Sequence, residues 1–398
     1  MNKSVLKSLY IEKYKGFKDF VMNFDDKLTV LVGENGTGKT TILEIIYNIL
    51  SQNSEFFKKD DEFTRMYLEI YINDELRKIE VKKNNDDIIF ELFGNESNDE
   101  KNTILEEQNV LYFKAEVNFI NYELNGPSKL EIENTNVMFD AEKMSKELKQ
   151  FLINQKYQDL NDIANGNINN ANRIESFKKI YNEFLEDKEF IGIDNDNFEP
   201  LFKLKNSGEK ITIEELSSGE KQIFFKGGTL LQYAKDKQIV VLIDEPEISM
   251  HPEWQQKILK FYRNINSNIQ FVFATHSPHI VSCCKSNEIR LIEKKENRLL
   301  IKEVIEGTYG ATSEELLFSI FNLKTVRNID VQKEMDEYKE LYIKRDTLSP
   351  EEFERLNFLK ENLLNNSEIS KSDMYMLNFQ SDTEKYRKIL KNLGGKNA

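Results

Sequence analysis

Cysteine is nearly absent from this chain: 398 residues hold two, the sequence neighbours Cys283 and Cys284. Adjacent cysteines are too cramped for an ordinary disulfide, and with no further thiols they make no metal site, so a reducing cytoplasm is the expected setting. Long apolar runs are missing as well. None approaches the roughly 20 residues of a membrane span, and the opening Met1 to Gly16 lacks the apolar stretch of a secretory leader, so no contact with a membrane is expected. A surplus of positive charge is also lacking. The net charge of −14 opposes a uniformly basic nucleic-acid binder and leaves room for nucleic acid only at a local basic groove. Internal repeats and biased tracts are not found either.

What the sequence does have is a succession of short apolar runs that end in polar chemistry. Leu9 to Glu12 and Phe17 to Phe24 read as a hairpin, and Leu28 to Val32 as a buried strand leading into Gly33-Glu34-Asn35-Gly36-Thr37-Gly38-Lys39-Thr40-Thr41. Ile42 to Leu50 has helical spacing, and Met66 to Phe93 alternates as two or three antiparallel strands. Val110 to Phe113 is another short buried strand. Ala141 to Leu185 is mainly helical with a break near Asn165 to Asn170, and Ile239 to Ile243 and Ile269 to Phe273 read as central parallel strands. Beyond residue 304 the pattern is helical. Ser349, Pro350 and Glu352 supply a cap, a first-turn proline and a capping-box acid, and Met335, Tyr338 and Tyr342 are expected to face Phe353, Leu356 and Leu363 in a helical hairpin.

Gly33 to Thr40 fits the pattern GxxxxGK[ST] between a strand and a helix, the setting a phosphate-cradling loop requires. Glycines let backbone N–H groups close around a phosphate, Lys39 reaches the β- and γ-phosphates of ATP, and Thr40 is placed to ligate Mg²⁺. The strand Ile239 to Ile243 ends in Asp244 and Glu245. At the end of a parallel strand near such a loop, Asp244 is expected to hold Mg²⁺ and Glu245 to polarise the attacking water. Leu216-Ser217-Ser218-Gly219-Glu220-Lys221-Gln222 places hydroxyls and a glycine at a helix start, which suits a phosphate. His276 follows the next strand after Asp244, while His279 reads only as a capping or solvating residue.

Taken in this order, these motifs resemble those of ABC-class ATPases. The expected fold is therefore α/β: an ABC-type P-loop NTPase core with an antiparallel β subdomain, a helical insertion and C-terminal helices. The expected boundaries are 1–125 and 210–303 for the two parts of the core, 126–209 for the insertion and 304–398 for the helical end. The resemblance implies that Ser217, Ser218, Gly219 and Glu220 contact the nucleotide of an opposite subunit and that His276 reads the γ-phosphate. A homodimer or a higher even-numbered oligomer follows, with ATP and Mg²⁺ as cofactors.

The loop Glu245-Pro246-Glu247-Ile248-Ser249-Met250-His251-Pro252 departs from that of transporter subunits and resembles RecF-like and overcoming-lysogeny-type ATPases. SMC proteins insert a long coiled coil before the signature, but no sustained heptad run occurs here. Within the group the chain looks most like stand-alone ATPases of bacterial anti-phage systems, the Septu type and its retron-associated versions. That likeness implies a separate effector protein, often a nuclease. A RecF-like repair ATPase and a transporter subunit are the alternatives. One departure is Lys114-Ala115-Glu116, where ABC enzymes place a glutamine: either Glu116 substitutes near Mg²⁺ or the position is empty. No Asp-x-Asp lies beyond residue 304, Asp194-Asn195-Asp196 reads as an Asx-type turn, and all three histidines lie in the ATPase region. Any nuclease activity is thus expected on another chain.

Overall fold

The computed structural model describes residues 4–58, 62–72, 75–85, 87–94, 108–115, 136–234, 238–296, 298–302, 307–366 and 371–394, with a few positions between them. Two compact units divide the chain, Met1–Leu316 and Leu317–Ala398. The strands are β1 (Ser4–Tyr14), β2 (Phe17–Asn23), β3 (Leu28–Gly33), β4 (Arg65–Ile72), β5 (Glu75–Asn84), β6 (Asp87–Phe93), β7 (Val110–Phe113), β8 (Asn136–Phe139), β9 (Lys188–Ile193), β10 (Pro200–Leu204), β11 (Lys210–Thr212), β12 (Ile239–Asp244), β13 (Ile269–Ala274), β14 (Ile289–Lys295) and β15 (Arg298–Lys302). The helices are α1 (Lys39–Leu50), α2 (Ser54–Lys58), α3 (Ala141–Ala164), α4 (Arg173–Asn182), α5 (Ser218–Tyr233), α6 (Pro252–Ile265), α7 (Pro278–Val281), α8 (Ser313–Ser319), α9 (Ile329–Ile343), α10 (Pro350–Asn366) and α11 (Lys371–Gly394).

Two sheets clasp α1 in the first unit. The main sheet has the order β15-β14-β3-β13-β12-β7-β8, parallel from β14 to β8 with β15 antiparallel at its edge. Its central strands β3, β12 and β13 are buried along their whole length, so they are mainly apolar on both faces rather than alternating. The antiparallel sheet β2-β1-β4-β5-β6 has one solvated face, and β2 and β4 alternate accordingly. Between them α1 is apolar around most of its girth: Ile42, Leu43, Ile45, Ile46 and Ile49 share one core with Leu9, Leu68, Leu242 and Val272. Truncating one of these to alanine would cost about 2–5 kcal/mol.

A polar side chain also joins the two sheets. Gln270, the second residue of β13 and fully buried, donates to Leu6 O at 3.0 Å and Asp25 O at 2.8 Å and accepts from Leu6 N at 2.7 Å. Its hydrogen-bonding capacity is met, which is what a buried amide needs.

The stretch expected to be a helical insertion holds α3 and α4, separated by a 3-10 turn at Ile168–Asn170 where the break was expected. It is not helical throughout: β8 at its start belongs to the main sheet, and β9 and β10 near its end form, with β11 just beyond residue 209, an antiparallel sheet β11-β10-β9 whose strands of three, five and six residues are too short and polar to show a period. Asp194 closes the turn between β9 and β10, its Oδ1 accepting from the backbone of Asp196 and Asn197, the Asx-type turn expected there. Phe177, Tyr181, Phe190 and Phe202 pack around Phe224 of α5, fixing that helix against the insertion.

The second unit is built on α9, α10 and α11, with Tyr338, Leu356, Leu359, Leu363 and Met374 as its core. Ser349 and Glu352 form the expected reciprocal cap. Phe353 does not face the hairpin as expected: it is 54 % exposed, and Leu359 fills the core instead. Leu356, Leu359 and Leu363 make one stripe, and Phe353 lies roughly 60° round the helix from Leu356 on the far side.

Candidate functional site

All the candidate motifs except the signature leave the sheet at one end, because β3, β12 and β13 are parallel and their carboxyl ends coincide. β3 stops at Gly33, where a Cβ would lie 2.5 Å from Ile292 O. Gly36 and Gly38 take left-handed φ values of 77° and 85°, and a Cβ on Gly38 would strike the Phe17 ring at 2.5 Å. Glycine is therefore demanded at each turn of the loop by close approach, by φ or by both. Glu34, Asn35 and Gly36 are exposed and Thr41 is half-buried, whereas Lys39 is buried with Nζ donating to Gly33 O at 2.9 Å and Glu34 O at 3.1 Å. Burial lowers the Lys39 pKa, opposed by Glu245, Asp244 and Glu247. The start of α1 carries neither a side-chain cap nor an acidic residue in its first turn. Its orphan N–H groups and dipole suit an anion.

Thr40 reaches across the sheet end. Its Oγ1 donates to Asp244 Oδ2 at 2.9 Å, although β13 lies between β3 and β12 in the sheet. Asp244 is buried, and desolvation raises its pKa against the Thr40 hydrogen bond and the charges of Lys226 and Lys39. Glu245 adopts a left-handed φ of 47°, uncommon for a side chain of this kind, and brings Oε1 to 3.4 Å from His276 Nε2. Burial raises the Glu245 pKa, Glu247 and Asp244 add to the shift, and Lys39 opposes it. His276 moves the other way, lowered by burial and by Lys39. Both shifts favour neutral forms, so burial works against charge pairing in this contact.

The loop after Asp244 is tied to the segment after β13. Glu247 Oε1 accepts from Thr275 Oγ1 at 2.5 Å and from His276 N at 3.0 Å. Ser277 Oγ donates to Gln255 Oε1 at 2.6 Å, and Gln255 Nε2 donates to Met250 O at 2.9 Å. None of Glu247, Thr275, Ser277 and Gln255 stood out as a site residue in the sequence; the acidic spacing Glu245-Pro246-Glu247 was the only signal.

The signature segment is organised differently. Ser217 caps α5: its Oγ accepts from Glu220 N at 3.3 Å, while Ser217 N donates to Glu220 Oε2 at 2.7 Å. Glu220 is buried and its other oxygen pairs with Lys188 of β9 at 2.5 Å. Ser217 and Ser218 are exposed. Gly219 lies under the loop after Asp244, with 3.0 Å between its would-be Cβ and Ser249 O, and Gln222 Nε2 donates to Ile248 O at 2.9 Å. His251 caps α6, and His279 Nδ1 lies 3.0 Å from Ser313 Oγ, a structural use of each. Glu116 lies outside the described residues.

The family model described as "AAA domain, putative AbiEii toxin, Type IV TA system" matches residues 28–282, more than half of the chain and every motif above. The chain belongs to this family. Among curated proteins, Septu protein PtuA of Bacillus thuringiensis is 26% identical over 84% of this chain and 90% of that protein. "Retron Vc95 probable ATPase" of Vibrio cholerae serotype O1 biovar El Tor is 28% identical over 34% of this chain and 28% of its own length. DNA replication and repair protein RecF of Bacillus cytotoxicus matches over only 29% of this chain, at 26% identity. Among solved structures, an SMC head bound to the C-terminal winged-helix domain of ScpA superposes with a TM-score of 0.51 at 14% identity, over 75% of this chain and 98% of that one. The fold is that of an ABC-type P-loop ATPase, and the protein is an ATPase of the anti-phage type. Among the described residues, no helix is long and apolar enough to cross a membrane.

Proposed function

We propose that this ATPase works as a dimer in which each nucleotide lies between the P-loop of one copy and the signature of the other, and that its nucleotide state controls a separate effector. The observation that carries the reading is the 2.9 Å contact of Thr40 with Asp244, with Glu245 and His276 paired beside it. Gly33 to Thr41 would cradle the phosphates and Lys39 would meet the β- and γ-phosphates. A hydroxyl and one carboxylate are hard oxygen donors, and among the described residues there is no group of three or more acidic, His or Cys side chains to cage a metal. This fits Mg²⁺, which is usually held by one or two carboxylates together with substrate phosphates. Thr40 and Asp244 would hold it, and when bound it supplies positive charge against the phosphate oxygens.

Glu245 would polarise the attacking water, and His276 would face the γ-phosphate. Ser217, Ser218, Gly219 and Glu220 would complete the site of the partner copy. In them the exposed hydroxyls and the start of α5 offer the donors, while Glu220 sets the cap. The effector is proposed as a separate protein, a nuclease by the likeness to Septu and retron ATPases. A RecF-like role in DNA repair is the second reading; its relatives align over less than a third of the chain. Purifying the native complex and identifying its members by mass spectrometry tests the effector. A nuclease in constant ratio to the ATPase would support it, and a membrane permease would point to transport instead.

A further inference from the structure

Glu247 takes no part in the chemistry proposed above, yet it is 8 % exposed and lies between the groups that do. Its Oε1 holds both the Thr275 hydroxyl and the His276 backbone N–H. Its Oε2 is buried and accepts from no N–H or hydroxyl among the described residues, while the carboxyl as a whole lies within hydrogen-bonding reach of the Glu245 carboxyl. Two carboxyls buried this close together are costly to keep. An apolar side chain would avoid that cost but could not accept from the Thr275 hydroxyl and the His276 N–H, so the acceptor calls for a reason beyond folding.

The hydrogen bonds around it run on in both directions. Thr275 Oγ1 accepts from Ser277 N at 2.9 Å, Ser277 Oγ donates to Gln255, and Gln255 donates to Met250 O. Met250 and Ser249 are the residues against which Gly219 packs, and Ile248 O takes the Gln222 amide. The loop 245–250 is thus bonded on one side to the signature helix and on the other, through Glu247, to the main chain that bears His276.

We infer that Glu247 is a positioning residue: its carboxylate sets the backbone at Thr275 and His276, so the seating of the signature helix on the loop 245–250 is passed to the imidazole. This rests on His276 being the group that faces the γ-phosphate. Glu247 acts through His276 and touches no nucleotide.

The test is a cycle in the full-length chain of wild type, Glu247→Ala, His276→Ala and the double variant, measuring kcat, equilibrium ATP affinity and the thermal midpoint. Glu247→Ala lowers kcat on the order of thirtyfold with ATP affinity held within about twofold, and the double variant is within about threefold of His276→Ala. Glu247→Gln, which keeps an acceptor oxygen, recovers most of the lost rate. If Glu247→Ala does not fold, Thr275→Val removes the same hydroxyl contact and enters the cycle in its place. Losses that multiply in the double variant, or equal losses for Gln and Ala, overturn the inference. A His276→Ala variant as fast as wild type would remove the reading of His276 itself, and this inference with it.

Discussion

The two halves of the nucleotide machinery use their polar groups in opposite ways. At the P-loop end three acids, Asp244, Glu245 and Glu247, surround buried Lys39, with Lys226 acting on Asp244 as well, and burial pushes Asp244 and Glu245 toward their neutral forms. At the signature end the charge at the helix start is matched: Glu220 is held by Lys188 and by the Ser217 backbone, and Ser217 is engaged in the cap it makes. The first end is short of positive charge and has orphan N–H groups; the second is settled within its own chain and shows two hydroxyls to solvent. An end that is short of charge is completed by a ligand. An end already satisfied, with exposed donors, is suited to meeting a ligand that another molecule brings.

Substitutions at the charge-poor end have the largest expected effects. Lys39→Ala leaves a desolvated triphosphate with the loop backbone alone, and ATP binding should fall below detection in equilibrium dialysis, with turnover lost. Wild-type affinity in that variant would remove Lys39 from the phosphate site. Glu245→Gln should keep ATP binding and slow hydrolysis on the order of a thousandfold, about 3–5 kcal/mol of barrier. It should also accumulate an ATP-bound dimer in sedimentation.

Substitutions at the settled end should act only between chains or on stability. Ser217→Arg in the Glu245→Gln background should abolish the ATP-bound dimer while each chain still binds ATP; a dimer of normal size there would sink the cross-subunit contact. Gly219→Ala pushes a methyl to 3.0 Å from Ser249 O, and should cost about 1–3 kcal/mol in urea unfolding. The smallest effect belongs to Ser217→Ala, which loses the α5 cap for about 1 kcal/mol. A neutral result would mean that the capping box contributes little here.

The charge-poor end was largely legible in the sequence because each part is local: a strand, a glycine-rich turn and a helix in one run, and a strand ending in Asp244 and Glu245. What no single segment carries is strand order. Nothing in Ile269 to Phe273 shows that β13 separates β3 from β12, or that Gln270 near its start bonds to β1. Glu247 and Thr275 meet only because two parallel strands end together. The small sheet of β9 to β11 was hidden by strands too short for a period, and Phe353 was misplaced because two stripes on α10 are both partly apolar.

The central claim is that each working site takes its two ends from two chains, and mixing two broken chains tests it. Lys39→Ala lacks a working P-loop and Ser217→Arg lacks a working signature, so each alone should be nearly inactive in ATP hydrolysis. Mixed in equal amounts and allowed to exchange, they should recover roughly a quarter of the wild-type rate per chain, since random pairing gives one intact site in half of the dimers. A mixture no faster than its parents, or Ser217→Arg turning over ATP unaided at the wild-type rate, would contradict the account.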